Sequence, residues 1–145
     1  MSIRCCQPWF KRNPGEVVPS MSFVVETTGA GQTFELPLSN SASVSVGLHV
    51  DWGDGNSETL TNATDPDKTH TYASAGMYTV VLTGVCEIFN FSLYSASSRT
   101  KLKQFIGVIG DNGLQAFSLR GTAITSLPSG MFGDVTSSLT TINIL

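Results

Sequence analysis

Ser43-Val44-Ser45-Val46-Gly47-Leu48-His49-Val50-Asp51-Trp52-Gly53-Asp54-Gly55 is the stretch on which the fold is decided. Val44, Val46, Leu48 and Val50 fall on one face of an extended chain, because successive side chains of a strand point to opposite sides. Gly53-Asp54-Gly55 then reverses the direction. Glycine enters the left-handed region freely, and a short Asp side chain satisfies the amides of a turn. Ser57–Thr61 returns as the second arm of a hairpin.

The same two-residue rhythm extends on both sides. Ser22–Thr27 and Thr33–Leu38 are extended runs separated by Gly29-Ala30-Gly31. Beyond the hairpin come a polar loop at Asn62–Asp67, a short run at Lys68–Tyr72 and a turn at Ala73–Gly76. Tyr78–Gly84 follows, with Tyr78, Val80 and Leu82 on one face. About seven short strands with turn signals between them predict an antiparallel β-sandwich over 21–85. Composition agrees. Of 145 residues, 18 are Ser, 16 Thr and 14 Gly, and only 13% are charged. Those residues form helices poorly, which disfavours a bundle, and the apolar content disfavours charge-driven disorder. No apolar run approaches the roughly 20 residues that span a bilayer, so no membrane partner is expected.

The net charge of −3 is unevenly spread. Residues 21–90 set Lys68 alone against eight carboxylates, while 1–20 carry Arg4, Lys11 and Arg12 against Glu16. A pI near 5.2, with no basic face interleaved with aromatics, argues against a nucleic-acid partner. Pro8, Pro14 and Pro19 prevent a helix and make central strand pairing awkward, so 1–20 is read as an extended arm. Trp9 and Phe10 are costly to leave wet, and the expectation is attachment to a partner: Trp9 and Phe10 as anchors, Arg4, Lys11 and Arg12 as supporting charges. Gln7, Pro8, Lys11 and Arg12 interrupt any secretory h-region, so export by that route is not expected.

Asp51-Trp52-Gly53-Asp54-Gly55, Thr69-His70-Thr71-Tyr72 and Gly76-Met77-Tyr78-Thr79-Val80 stand in this order and spacing. Together they resemble the polycystic kidney disease (PKD) type of immunoglobulin-like domain, over about 21–85. The resemblance implies structural roles for Asp51, Gly53, Asp54, Gly55, His70, Tyr72, Gly76 and Tyr78. The chain departs from the pattern at Val50, where many members place Trp, which implies a differently packed core there.

After Gly84 the rhythm changes. Leu114-Gln-Ala-Phe117-Ser-Leu119 and Leu139-Thr-Thr-Ile142-Asn-Ile144 share the frame L-x-x-Φ-x-Φ, where Φ is apolar, at an offset of 25 residues. Between them lies Ile124-Thr-Ser-Leu127-Pro128-Ser-Gly-Met-Phe132, and Leu102-Lys-Gln-Phe105 is taken as an irregular earlier copy. A period of this kind resembles a leucine-rich repeat, of the surface-antigen type found in bacterial and phage surface proteins. It implies that Leu114, Phe117, Leu119, Leu139, Ile142 and Ile144 point inward, with Ile124, Leu127 and Phe132 closing the coil. The expected organisation is an arm at 1–20, a mainly β sandwich at 21–85 and a leucine-rich-repeat-like segment at 86–145. The alternative is that 85–145 completes the sandwich. So short an array needs a neighbour over its last strand, from another protomer or a continuation of the chain, which implies an oligomer or a symmetric assembly.

Asp51, Asp54, Asn56 and Glu58 offer hard oxygen ligands, which makes Asp51 and Asp54 the calcium candidates. No twelve-residue loop ends in a bidentate Glu, and the turn accounts for the same residues, so no cofactor is expected. His49 and His70 have no visible nucleophile or second ligand, and Cys5, Cys6 and Cys86 have no metal-ligand spacing. There is no G-x-S-x-G elbow or phosphate-cradling glycine loop, and an enzyme is not expected. Both resembled modules are binding or spacing units. Surface display without an export signal implies a phage virion structural protein, of capsid-decoration, head-fibre or tail-associated type. Its partners would be other virion proteins, the capsid shell first, with a host-surface glycan as a further ligand. The alternatives are a fragment of a bacterial cell-surface adhesin and a carbohydrate-binding module.

Overall fold

The structure, a computed structural model, describes residues 18–38, 47–91, 96–109, 114–132 and 139–144. The arm residues Arg4, Trp9, Phe10, Lys11 and Arg12, together with Val44 and Val46, lie outside the described residues. What is described is mainly β. In chain order the strands are β1 (Ser20–Thr27), β2 (Gln32–Glu35), β3 (Leu48–Asp51), β4 (Ser57–Leu60), β5 (Thr69–Tyr72) and β6 (Gly76–Thr83). They continue with β7 (Ile88–Asn90), β8 (Leu102–Ile109), β9 (Ala116–Ser118) and β10 (Thr141–Asn143). A 3-10 turn at Pro66–Lys68 precedes β5, and one short helix, α1 (Ala96–Lys101), precedes β8.

Five strands form an antiparallel sheet in the order β4-β3-β6-β1-β8, and β2 pairs antiparallel with β5 in a second sheet. Alternation sets the faces. In β3, Leu48 and Val50 are buried while His49 and Asp51 are exposed, and in β1 Met21, Phe23, Val25 and Thr27 are buried. Phe34 of β2 and Tyr72 of β5 meet that inner face, with Phe23–Phe34 centroids 5.9 Å apart and Tyr72–Tyr78 4.2 Å apart. Each fully buried ring contributes on the order of 1.5–3 kcal/mol by leaving water.

The third sheet is parallel, in the order β10-β9-β7. Ile88, Phe89 and Asn90 pair with Ala116, Phe117 and Ser118, which pair in turn with Thr141, Ile142 and Asn143. Each step repeats the same hydrogen bonds. The Glu87 carbonyl accepts from the amides of Gln115 (2.7 Å) and Ala116 (3.1 Å), and the Gln115 carbonyl from those of Thr140 (2.8 Å) and Thr141 (3.2 Å). Phe89 and Phe117 stack at 5.9 Å, one above the other.

Three expectations need correction. Leu102–Phe105 is no earlier copy of the frame. It lies in β8, antiparallel to β1, where Leu102 and Phe105 fill the same core as Phe23. The earlier coil is Cys86-Glu-Ile-Phe89-Asn-Phe91, in which buried Cys86, Phe89 and Phe91 take the places of Leu114, Phe117 and Leu119. The border between 85 and 86 is also no break in packing. β8 crosses back into the first sheet, the Leu38 region bridges to Phe89, and rings contact in series from Phe23 through Phe89 and Phe117 to Phe132. Finally, Ile142 is not buried but 49% exposed.

The runs drawn from alternation differ from the strands mainly at their ends. Of the run Thr33–Leu38 the strand ladder ends at Glu35; beyond it the Leu36 amide donates to the Lys68 carbonyl at 2.9 Å, and Leu38 bridges to Phe89. Tyr78–Gly84 starts two residues earlier and ends at Thr83.

Candidate functional site

The three motifs of the hairpin region meet at one place. In the turn joining β3 to β4, the Trp52 amide donates to the Asn56 carbonyl at 3.0 Å. Asp51 Oδ1 accepts from the Gly53 amide at 2.9 Å and Asp54 Oδ1 from the Asn56 amide at 3.1 Å. Gly53 has φ +80, and a Cβ there would lie 2.5 Å from the Thr79 carbonyl oxygen of β6. Only glycine allows that approach.

From this turn Asp54 reaches across to the second sheet, where its Oδ2 lies 2.8 Å from His70 Nε2 on β5. A neutral His70 therefore carries its proton on Nε2. Burial alone pushes the Asp54 carboxyl up, but the bond from His70 and the bonds from Asn56 together hold it below its ordinary value. The His70 ring stacks on Trp52 at 4.8 Å and meets Tyr72 edge-on at 4.7 Å, and Tyr72 stacks on Tyr78 at 4.2 Å. The Tyr72 hydroxyl donates to the Trp52 carbonyl at 3.1 Å, and desolvation, with the charge of Asp54, raises its pKa well above that of ordinary tyrosine. Tyr78 folds over Gly76 and donates to the Ser74 carbonyl at 2.9 Å. Val50 and Trp52 are both fully buried, so Trp52 supplies the ring at this end of the core.

Chemically, this cluster is a clamp between two sheets. Its carboxylates are occupied by turn amides and by His70, and no group of three or more potential metal ligands occurs among the described residues. His49 stands exposed on β3, with its ring near the Thr59 hydroxyl at 3.4 Å. Cys86 is buried, which with the nearby Glu87 charge pushes its thiol up to about 12 and makes it a poor nucleophile. Cys5 and Cys6 lie outside the described residues.

Two surfaces remain. A polar groove of about 280 Å³ is lined by Glu26, Thr28 and Gln32 with Ser97, Thr100, Lys101 and Lys103. Sequence reasoning missed it because β1 and β8 meet there over a long stretch of chain, and no local signal marks that pairing. Its groups are mutually engaged: Lys103 pairs with Glu26 at 3.0 Å, Lys101 donates to the Ser97 carbonyl at 3.3 Å, and Gln32 bonds Thr28 twice. The second surface is the end of the parallel sheet. Leu114, Phe117, Leu119 and Ile124 are buried, Leu127, Phe132 and Leu139 half-buried against the core, and Ile142 exposed. The first coil was legible, had Cys86 been read as an apolar member of the frame. No protein-family model, curated protein or solved structure matches this chain. Among the described residues no helix is long and apolar enough to cross a membrane.

Proposed function

We propose that this protein is a non-catalytic assembly and display component of a virion surface, of capsid-decoration or head-fibre type. Its sandwich is read as PKD-like and immunoglobulin-like, and its parallel coils as the start of a leucine-rich-repeat-type stack. The observation that carries the reading is the clamp: Asp51, Asp54, His70, Tyr72 and Tyr78 each bond to other groups of the fold. Such a module holds a shape and presents surfaces. In-register coils offset by 28 and 25 residues support the repeat reading. The carbohydrate-module alternative is weakened because Trp52 and Tyr72 are sealed from solvent and offer no stacking platform.

Docking is assigned to the arm, with Trp9 and Phe10 as anchors and Arg4, Lys11 and Arg12 beside them, and the capsid shell as the first partner. The test is deletion of residues 1–17 followed by co-sedimentation with particles. The deleted protein should fold as the full chain does and stay in the supernatant. Pelleting with particles as the full chain does would overturn the arm assignment, and a turnover activity abolished by D54N in folded protein would overturn the non-catalytic reading.

A further inference from the structure

The edges of the two larger sheets are finished differently. β8, at one edge of the antiparallel sheet, carries Lys103 and Gly107 and two register shifts against β1. Charges and bulges of this kind blunt a strand edge against pairing with another chain. β10 has none of these. From Leu139 to Ile144 there is no charge, no proline and no glycine, and the strand keeps an unbroken register with β9.

The main chain of β10 is also oriented for pairing. The Leu119 amide donates to the Asn143 carbonyl at 2.8 Å, so Asn143 turns its amide and carbonyl toward β9. Along a strand these groups alternate sides, so the amide and carbonyl of Ile142 point outward, away from β9. In register with Ile142 stand Phe117 and Phe89, both fully buried, yet Ile142 is 49% exposed. Its side chain lies on the apolar face of the sheet, and among the described residues no strand pairs on the far side of β10.

We propose that β10 is a self-association edge, and that a second copy of this chain pairs with it antiparallel about a two-fold axis perpendicular to the sheet. Ile142 lies on the axis and exchanges both main-chain hydrogen bonds with its symmetry mate, the pairing that an outward amide and carbonyl on one residue allow. Such an axis returns each face of the sheet to itself. The two Ile142 side chains, with Leu139 and Ile144 of each copy, therefore gather on one side of a continuous six-stranded sheet. An uncharged edge meets its own copy without repulsion, as an isologous contact requires. The strand is short and the contact falls below the roughly 800 Å² per partner of a standard interface, so association is weak and rises with concentration. This inference is independent of docking through the arm.

The test is sedimentation of the full chain over a concentration series, roughly micromolar to millimolar, beside I142K and I142P. Wild type should pass from monomer to dimer and stop there. I142K should raise the dissociation constant at least about tenfold, because it brings two like charges together on the axis. I142P should do the same by removing the outward amide, which β9 does not use. Ile142 is half-exposed, and an unchanged thermal transition of both variants in dilute, monomeric protein is the folding control. A wild-type chain that stays monomeric throughout, or a dimer indifferent to both substitutions, would overturn the proposal. So would open-ended growth beyond the dimer through β10, which requires a head-to-tail contact instead.

Discussion

The clamp at the β3–β4 turn and the coil end at β10 handle polar backbone in opposite ways. At the turn, side chains close the account: Asp51 and Asp54 take the turn amides, His70 takes the remaining Asp54 oxygen, and Tyr72 returns to the Trp52 carbonyl. At β10 one side of the strand is bonded to β9 and the other is left facing outward. The difference is one of topology. A hairpin brings its own partner within a few residues, whereas a parallel strand depends on a neighbour a whole coil away. Main-chain groups are therefore closed off where the chain folds back on itself and face outward at the last described strand of the stack.

Yet the two regions share one core, and Phe117 is where that can be broken. Its ring contacts Phe89, Phe105 and Phe132 at 5.9, 5.0 and 5.3 Å. F117A should cost about 3–5 kcal/mol and lower a single unfolding transition followed by both near- and far-ultraviolet circular dichroism. Two separated transitions would divide the molecule after all.

Gly53 tests the closed region alone. G53A forces a Cβ onto the Thr79 carbonyl at a positive φ and should destabilise by more than about 1 kcal/mol. G55A, at φ +93 with open space around it, has only the backbone term and should cost less in the same chemical denaturation series.

Acid sharpens the comparison further. Because the Asp54 carboxyl is held below its ordinary value of 3.8 in the folded chain, its contribution is complete above that value and is lost as pH falls through the folded value. D54N should cost roughly 1–3 kcal/mol at neutral pH. Melting temperature against pH should fall less steeply below pH 4 in D54N than in wild type. Parallel curves would remove the His70 contact from the explanation.

The smallest effect belongs to the open end. In dilute monomer, I142A should change stability by no more than about 0.5 kcal/mol, since the side chain is half in water. A loss several times larger in the denaturation series would mean that the coil end is already covered.

Local sequence determined a good deal of this protein. Leu48 and Val50 against His49 and Asp51, the Asp–Gly turn, and the L-x-x-Φ-x-Φ frame at 114–119 and 139–144 are legible because alternation and turn chemistry act over a few residues. Asp51, Asp54, His70, Tyr72 and Tyr78 stand in short motifs that can be picked out of the sequence, but their contacts with one another and with Trp52 came from the fold. Only tertiary structure placed β8 beside β1, gave Cys86 a leucine's place in the first coil, and left Ile142 half in water. Alternating apolar residues state that a strand has a buried face without naming its neighbour. That choice depends on which sheet edge is free when the chain returns, and edges are made by segments far apart in sequence.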